Sequence, residues 1–187
     1  MKIAIIGGIG SGKSRVLEYI KDLGQRVCDC DAIYKDIVKE KEYIKLVGDT
    51  FGVVKDGAID KKALANIVFS DKEQLKKLNS LAHPLIFQKI HNIYKEDNTN
   101  LYIEVSAFDN SMAEHFDEIV YVKSLQSNRV ERVKLRNNYD EDYILSIMSN
   151  QLCEEEMEKA SSFVLINDGD LEELAKQVEY LIAFLQF

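Results

Sequence analysis

The sequence predicts an α/β fold: a parallel β-sheet covered by helices, with a helical subdomain inserted into it and a charged helical segment near its end. Three observations carry that expectation. Four apolar residues, Ile3 to Ile6, form a short run suited to a buried strand, and the chain then turns abruptly into glycine. Short strand-like runs next alternate with segments of helical periodicity, the pattern of a parallel sheet with helices on its faces. Between residues 43 and 96 only helical segments follow one another, and strand signals resume at Leu101.

The opening run leads into the strongest local signal in the chain. Gly7, Gly12, Lys13 and Ser14 satisfy G-x-x-x-x-G-K-[ST], with the first glycine at the end of the strand. Glycines let the backbone approach a ligand closely, so successive N–H groups can point into one concavity that suits an anion. A helix beginning near Gly12 adds its unpaired N–H groups and its dipole where a polyphosphate would sit. Gly8, Ile9, Gly10, Ser11, Gly12, Lys13, Ser14 and Arg15 are therefore the expected nucleotide-binding segment. Lys13 would reach the β- and γ-phosphates of ATP, and the Ser14 hydroxyl would ligate Mg²⁺. The alternative is a glycine-rich strand-to-helix turn that binds nothing.

Composition bounds the partners. At 187 residues, 46% hydrophobic and 30% charged, the chain reads as an ordinary globular protein with room for one domain and a small inserted subdomain. Its net charge of -8, from 24 basic and 32 acidic residues, argues against a nucleic-acid surface and for a small anion in a local basic pocket. No apolar run approaches the roughly 18 to 20 residues needed to span a bilayer, and the start of the chain carries no secretory pattern. A cytoplasmic protein without a membrane partner, monomeric or a small homo-oligomer, is expected. Cys28, Cys30 and Cys153 match no zinc spacing and read as reduced thiols behaving as small buried apolar residues. The alternation Cys28-Asp29-Cys30-Asp31 suggests a metal only weakly, since no second ligand pair accompanies it.

Along the chain, Val16, Leu17, Ile20 and Leu23 recur at helical spacing before Gly24. Val27 and Cys28 make a second strand ending at Asp29, and Ile33, Ile37 and Val38 mark a helix. Ligands of such sheets bind at the carboxyl ends of strands, where Asp29 and Asp31 fall. Phe51-Gly52 and Asp56-Gly57 are turn signals. Three helices are expected next: Lys61 to Phe69 after Asp60 as N-cap, a second from Ser70 with Glu73 completing a capping box, and a third opening at Pro84. Leu101 to Val105 and Ile119 to Val122 read as strands. Arg129, Arg132, Lys134, Arg136 and Glu154 to Glu156 lie in a charged stretch whose ordinary meaning is solvated helix faces. Phe163 to Ile166 reads as a last buried strand, and Leu171, Leu174, Val178, Leu181 and Leu185 as the stripe of a closing helix. The implied organisation is a core of 1–42, 97–126 and 161–187, a helical substrate subdomain of 43–96 and a charged helical stretch of 127–160.

Several blocks then fall into a recognisable order: the glycine-rich loop, Leu23-Gly24, Asp29-Cys30-Asp31, Asp56-Gly57-Ala58-Ile59-Asp60, Ile67-Val68-Phe69-Ser70-Asp71, Leu78-Asn79, His83-Pro84-Leu85-Ile86, Arg132 with Arg136, Gln151, and Asn167-Asp168-Gly169. In that order, over nearly the whole chain, the sequence resembles the dephospho-coenzyme A kinases. The resemblance implies a three-layer P-loop core, a helical domain for the coenzyme and a mobile lid, which it assigns to the charged stretch of 127–160. The reaction it implies is transfer of the ATP γ-phosphoryl group to the ribose 3′-hydroxyl of dephospho-coenzyme A, the last step of coenzyme A biosynthesis.

By that resemblance Asp31 is the carboxylate at the acceptor hydroxyl, Asp29 stands nearer the metal's water shell, His83 lies near the acceptor, and Asn167 and Gly169 form a turn beside the adenine. A carboxylate within reach of a ribose hydroxyl can accept its proton; the plain alternative for either aspartate is a helix cap. Arg136 is the lid candidate, a guanidinium that would stabilise charge on the transferred group. Arg132, one turn earlier on the same face, could assist or form a surface salt bridge. Without the resemblance, His83 reads equally as a hydrogen-bonded structural residue, and Asn167 and Gly169 as a plain turn. The chain departs from the family at Arg15, where threonine is usual, and at Lys61, which keeps a charge but lacks the planar fork of arginine. It departs also at Val105 to Asp109, at Ile147, where arginine is usual, and at Ser162. Two further readings share the loop: a P-loop kinase of another small nucleotide or nucleoside, and a non-catalytic nucleotide-binding switch.

Overall fold

The computed structural model describes residues 1–186; Phe187 lies outside the described residues, as does the side chain of Phe69. By its contacts the chain divides into two compact units, Met1–Asp29 with Asp97–Phe187, and Cys30–Glu96.

The first unit is built on five parallel strands: β1 (Lys2–Ile6), β2 (Arg26–Asp29), β5 (Leu101–Glu104), β6 (Glu118–Lys123) and β7 (Phe163–Ile166), in the order β2-β5-β1-β6-β7. β1 lies at the centre with Ile3 to Ile6 fully buried, as a continuous apolar run predicts for a strand covered on both faces. Ile3 and Ile5 join Tyr102, Val120, Val122 and Leu165 in a core completed by α1 (Lys13–Asp22) and α9 (Leu171–Leu185). Val16, Leu17 and Ile20 come from the first of these helices, Leu174, Val178, Leu181 and Leu185 from the second. The opposite pleats, Ala4, Ile6, Ile103 and Tyr121, are equally buried, and α8 (Glu154–Ala160) packs against β6. The expected three-layer α/β architecture is present. β7 departs from its reading as a buried strand: it is the sheet's edge, with Val164 and Ile166 exposed. The charged stretch expected to be a lid forms α6 (Gln126–Asn137), α7 (Glu141–Ser149) and α8, with Val130, Val133 and Ile144 as a small core of the first two.

The second unit holds α2 (Cys30–Ile37), α3 (Lys41–Phe51), a two-stranded hairpin of β3 (Val54–Lys55) and β4 (Ala58–Ile59), α4 (Lys61–Ser70) and α5 (Lys72–Lys95). It reaches back to Cys30, whereas the sequence reading placed the boundary at 43, because Ile33, Tyr34, Ile37 and Val38 pack with Tyr43, Val47, Leu78 and Ala82. Asp56 (φ 51°) and Gly57 (φ 77°) both take the left-handed conformation of a tight hairpin turn, so the turn signal stands between two strands too short to show periodicity. Asp60 caps α4, accepting from the amides of Lys62 and Ala63 at 3.1 and 3.0 Å. The cap of α5 is Asp71, which accepts from the Glu73 amide at 2.8 Å, and not Ser70, whose hydroxyl bonds back to the Asn66 and Ile67 carbonyls at the end of α4. Pro84 does not open a third helix; it lies inside α5. Leu78 and Ala82 before it and Leu85 and Ile86 after it share one apolar face, and that burial offsets the roughly 3 kcal/mol cost of an internal proline.

No helix among the described residues is long and apolar enough to cross a membrane. Cys28 and Cys30 are half-buried rather than fully buried, and desolvation, helped by the charge of Asp29, pushes the Cys28 thiol up to about 12. Cys153 is instead exposed, at the start of α8, where its amide donates to Glu156.

Candidate active site

The glycine-rich loop joins β1 to α1, and Gly12 stands at the helix N-terminus with no side chain capping it and no acidic residue in the first turn. That is the arrangement an anion completes. Gly12 has φ 100°, and a Cβ there would come within 2.1 Å of Asn167 Nδ2. Gly10, at φ 76°, lies so close to α6 that a Cβ would stand 2.5 Å from the Arg129 carbonyl. Only glycine fits either place.

Long-range hydrogen bonds hold the loop. Asn167 Nδ2 donates to the Ser11 carbonyl at 2.7 Å from the far side of the sheet order, and the Ser11 amide donates to Gly8 O at 3.1 Å. Gln151 Oε1 accepts from the Ile9 amide at 2.8 Å. Arg129 Nε donates to the Ile9 carbonyl at 3.0 Å. Lys13 is 8% exposed and folds over the loop, its Nζ 2.9 Å from Gly7 O and 3.4 Å from Gly8 O. Phosphate oxygens arriving at the loop would make stronger, charge-assisted hydrogen bonds with this ammonium than those two neutral carbonyls do.

Arg132 reaches the same region by a different route. Its guanidinium donates to Ser124 Oγ at 3.0 Å, the Asn167 carbonyl at 2.8 Å and Gly10 O at 3.4 Å. Asp168 anchors that network, accepting from Ser124 Oγ at 2.7 Å, the Leu125 amide at 2.9 Å and Asn128 Nδ2 at 2.9 Å. Desolvation works against ionisation of Asp168, but these hydrogen bonds and the charge of Arg132 outweigh it and hold the carboxyl below its ordinary range. Arg132 is thus neither a free lid residue nor a surface ion pair; it is tied to the loop.

The metal-side candidates also meet. Ser14 Oγ donates to Glu104 Oε1 at 3.0 Å. Glu104 ends β5 in register with Asp29 at the end of β2, which brings two carboxylates to neighbouring strand ends. Hydroxyl and carboxylate oxygens are the hard ligands Mg²⁺ takes. No cluster of three His, Cys, Asp or Glu side chains exists among the described residues, and a nucleotide-bound Mg²⁺ does not need one, since phosphates and water fill its shell.

Other expected residues lie elsewhere. Arg15 is on the outer face of α1, paired with Glu18 at 2.9 Å. Arg136 is exposed near the end of α6, its Nε donating to Asn137 Oδ1 at 2.8 Å. Gly169 has a Cβ position blocked only by the flexible end of Glu173. In the helical unit, Asp31 occupies the first turn of α2, which starts at Cys30, and Lys61 is the first residue of α4. His83 lies in α5 with its ring edge-on to Phe87, centroids 6.0 Å apart. Sequence reading did not single out Arg129 or Glu104 as site residues. For Arg129 a signal existed, since it precedes Arg132 and Arg136 by three and seven residues and so shares their helix face.

The dephospho-CoA kinase family model matches residues 1–173. The chain belongs to the dephospho-CoA kinase family. A dephospho-CoA kinase of Fusobacterium nucleatum is 36% identical, the match covering 96% of this chain and 95% of that protein. One from Carboxydothermus hydrogenoformans is 32% identical over 94% and 90%. Among solved structures, that of a Thermus thermophilus protein superposes with a TM-score of 0.85 at 30% identity, covering 99% of this chain and 97% of that one. As a member of this family, the chain is a P-loop kinase.

Proposed function

We propose that this kinase transfers the γ-phosphoryl group of ATP to the ribose 3′-hydroxyl of dephospho-coenzyme A, completing coenzyme A biosynthesis in the cytoplasm. The observation that carries the reading is the uncapped loop-to-helix cradle with Lys13 folded over it, in a chain whose family match runs through both units.

In this reading the loop amides from Gly8 to Ser14 receive the phosphates, and Lys13 moves from the Gly7 and Gly8 carbonyls to the β- and γ-phosphate oxygens. The Ser14 hydroxyl would hold the Mg²⁺ that accompanies ATP, and Asp29 and Glu104 would hydrogen-bond its water shell. When bound, the metal neutralises charge on the β- and γ-oxygens. Asp31 accepts the proton of the 3′-hydroxyl as that oxygen bonds to the γ-phosphorus, and the bond from phosphorus to the β–γ bridging oxygen breaks to leave ADP. Lys61 and His83 contribute to acceptor binding. Asn167 and Gly169 border the adenine, with Asn167 also bracing the loop. Arg136, about 10 Å further along α6 than Arg129, is the cation proposed to close over the transferred group. The substrate is a small molecule, with neither nucleic acid nor membrane involved, and the protein acts as a monomer or small homo-oligomer.

The test is ADP release with Mg·ATP and separately offered dephospho-coenzyme A, adenosine and nucleoside monophosphates. Turnover with dephospho-coenzyme A alone supports the assignment and makes Lys61, Val105 and Ile147 tolerated variations. Turnover with a different acceptor overturns the substrate, and ATP binding with no acceptor-dependent turnover points to the nucleotide-binding switch.

A further inference from the structure

Arg129 stands apart from the other arginines of α6. It is 6% exposed, whereas Arg136 is exposed. Its guanidinium rests against the phosphate loop: Nε donates to Ile9 O at 3.0 Å, and a methyl group built on Gly8 would stand 2.1 Å from Nη2. Its counter-charge is Glu154, the first residue of α8, whose Oε1 lies 3.5 Å from Nη1. Good guanidinium–carboxylate pairs are bidentate at about 2.7 to 2.9 Å, so this one is loose. The Glu154 side chain is 45% exposed, so solvent screens the partner of a charge that is itself buried. A desolvated cation with a weak counter-ion, touching the two residues that open an anion cradle, gains more from an arriving polyphosphate than from the carboxylate it already has.

We propose that Arg129 is a phosphate-binding residue of this kinase and that Glu154 is its resting counter-ion, exchanged for the ATP polyphosphate when the nucleotide binds. The inference rests on ATP being the donor. The exchange is geometrically local, because Glu154 opens α8 three residues after Gln151, whose side chain holds the Ile9 amide. Phosphate arriving at the loop competes with both holds at once: with Glu154 for the Arg129 guanidinium, and with Gln151 for the Ile9 N–H. The pair would then couple nucleotide binding to the placement of α8.

The two partners give opposite signs, which separates this role from a structural brace. In titration calorimetry of the full chain with Mg·ATP, Arg129→Gln weakens binding about 10- to 100-fold, the size of a lost charge-assisted contact. Adenosine binding changes less than twofold. Glu154→Gln, by removing the competitor, tightens Mg·ATP about two- to fivefold, again without an effect on adenosine. If the salt bridge is only a brace, both variants weaken Mg·ATP and adenosine alike, and the proposal is overturned. It is overturned equally if Glu154→Gln leaves Mg·ATP affinity unchanged. Should Arg129→Gln fail to fold, Glu154→Gln alone decides by the sign of its effect. A wild-type chain that binds no Mg·ATP contradicts the kinase reading itself, a result distinct from wild-type binding with the wrong sign at Glu154.

Discussion

The two compact units assemble their candidate site residues by opposite means. Around the phosphate loop, side chains more than a hundred residues away bind the backbone: Asn167 at Ser11, Gln151 and Arg129 at Ile9. In the helical unit Asp31 and Lys61 sit in first turns of helices, placed by their own segment's start and, for Lys61, by the cap of the preceding Asp60. A donor cradle must present several amides to one anion at fixed geometry, which demands cross-chain bracing. Residues proposed for the acceptor side are carried on helices and can be placed by local caps, and Lys61, where the resemblance leads one to expect arginine, is among them.

The contrast is testable by damage. Lys13→Ala removes a buried cation of the cradle and, in the proposed mechanism, is expected to lower turnover by on the order of 10² to 10³ or more in a coupled ADP assay. Asn167→Ala leaves the chemistry in place but frees the Ser11 carbonyl. It should cost about 1–3 kcal/mol of stability, lower Tm by on the order of 5 °C and weaken Mg·ATP binding in step. Asp168 sharpens the same point through pH. Its folded carboxyl is held below the ordinary value, so its stabilising contribution is present above that value and lost as the pH falls below about 4. Asp168→Asn should therefore flatten that acid limb in a series of thermal melts. Asp60→Ala, a purely local cap in the helical unit, should cost about 1 kcal/mol with Mg·ATP affinity unchanged. If Asp60→Ala weakened the nucleotide as much as Asn167→Ala does, the distinction between the two halves would collapse.

What the sequence made legible follows the same division. The phosphate loop, its strand and its helix could be read because G-x-x-x-x-G-K-S is contiguous and its glycines answer to backbone needs that operate over a few residues. The Asp60 cap was legible for the same reason. Glu104 was not, and Arg129 only as a member of the arginine face of its helix, because their contacts with Ser14 and Ile9 arise from register and helix approach across 90 to 120 residues. Asn167 was read as a turn beside adenine, and its bracing hydrogen bond to Ser11 became visible only with β7 set beside β6. Pro84 misled because its local penalty is real but smaller than the burial on both sides of it, and β7 read as buried because an apolar run does not reveal that its strand is the last in the sheet.

The most direct test of the account is Asp31→Asn, assayed in parallel for turnover with dephospho-coenzyme A and for Mg·ATP affinity. Turnover should fall by about 10²- to 10⁴-fold, the contribution of a general base, with Mg·ATP affinity within twofold of wild type. Loss of Mg·ATP binding in step with turnover, or turnover that survives the substitution, would contradict it.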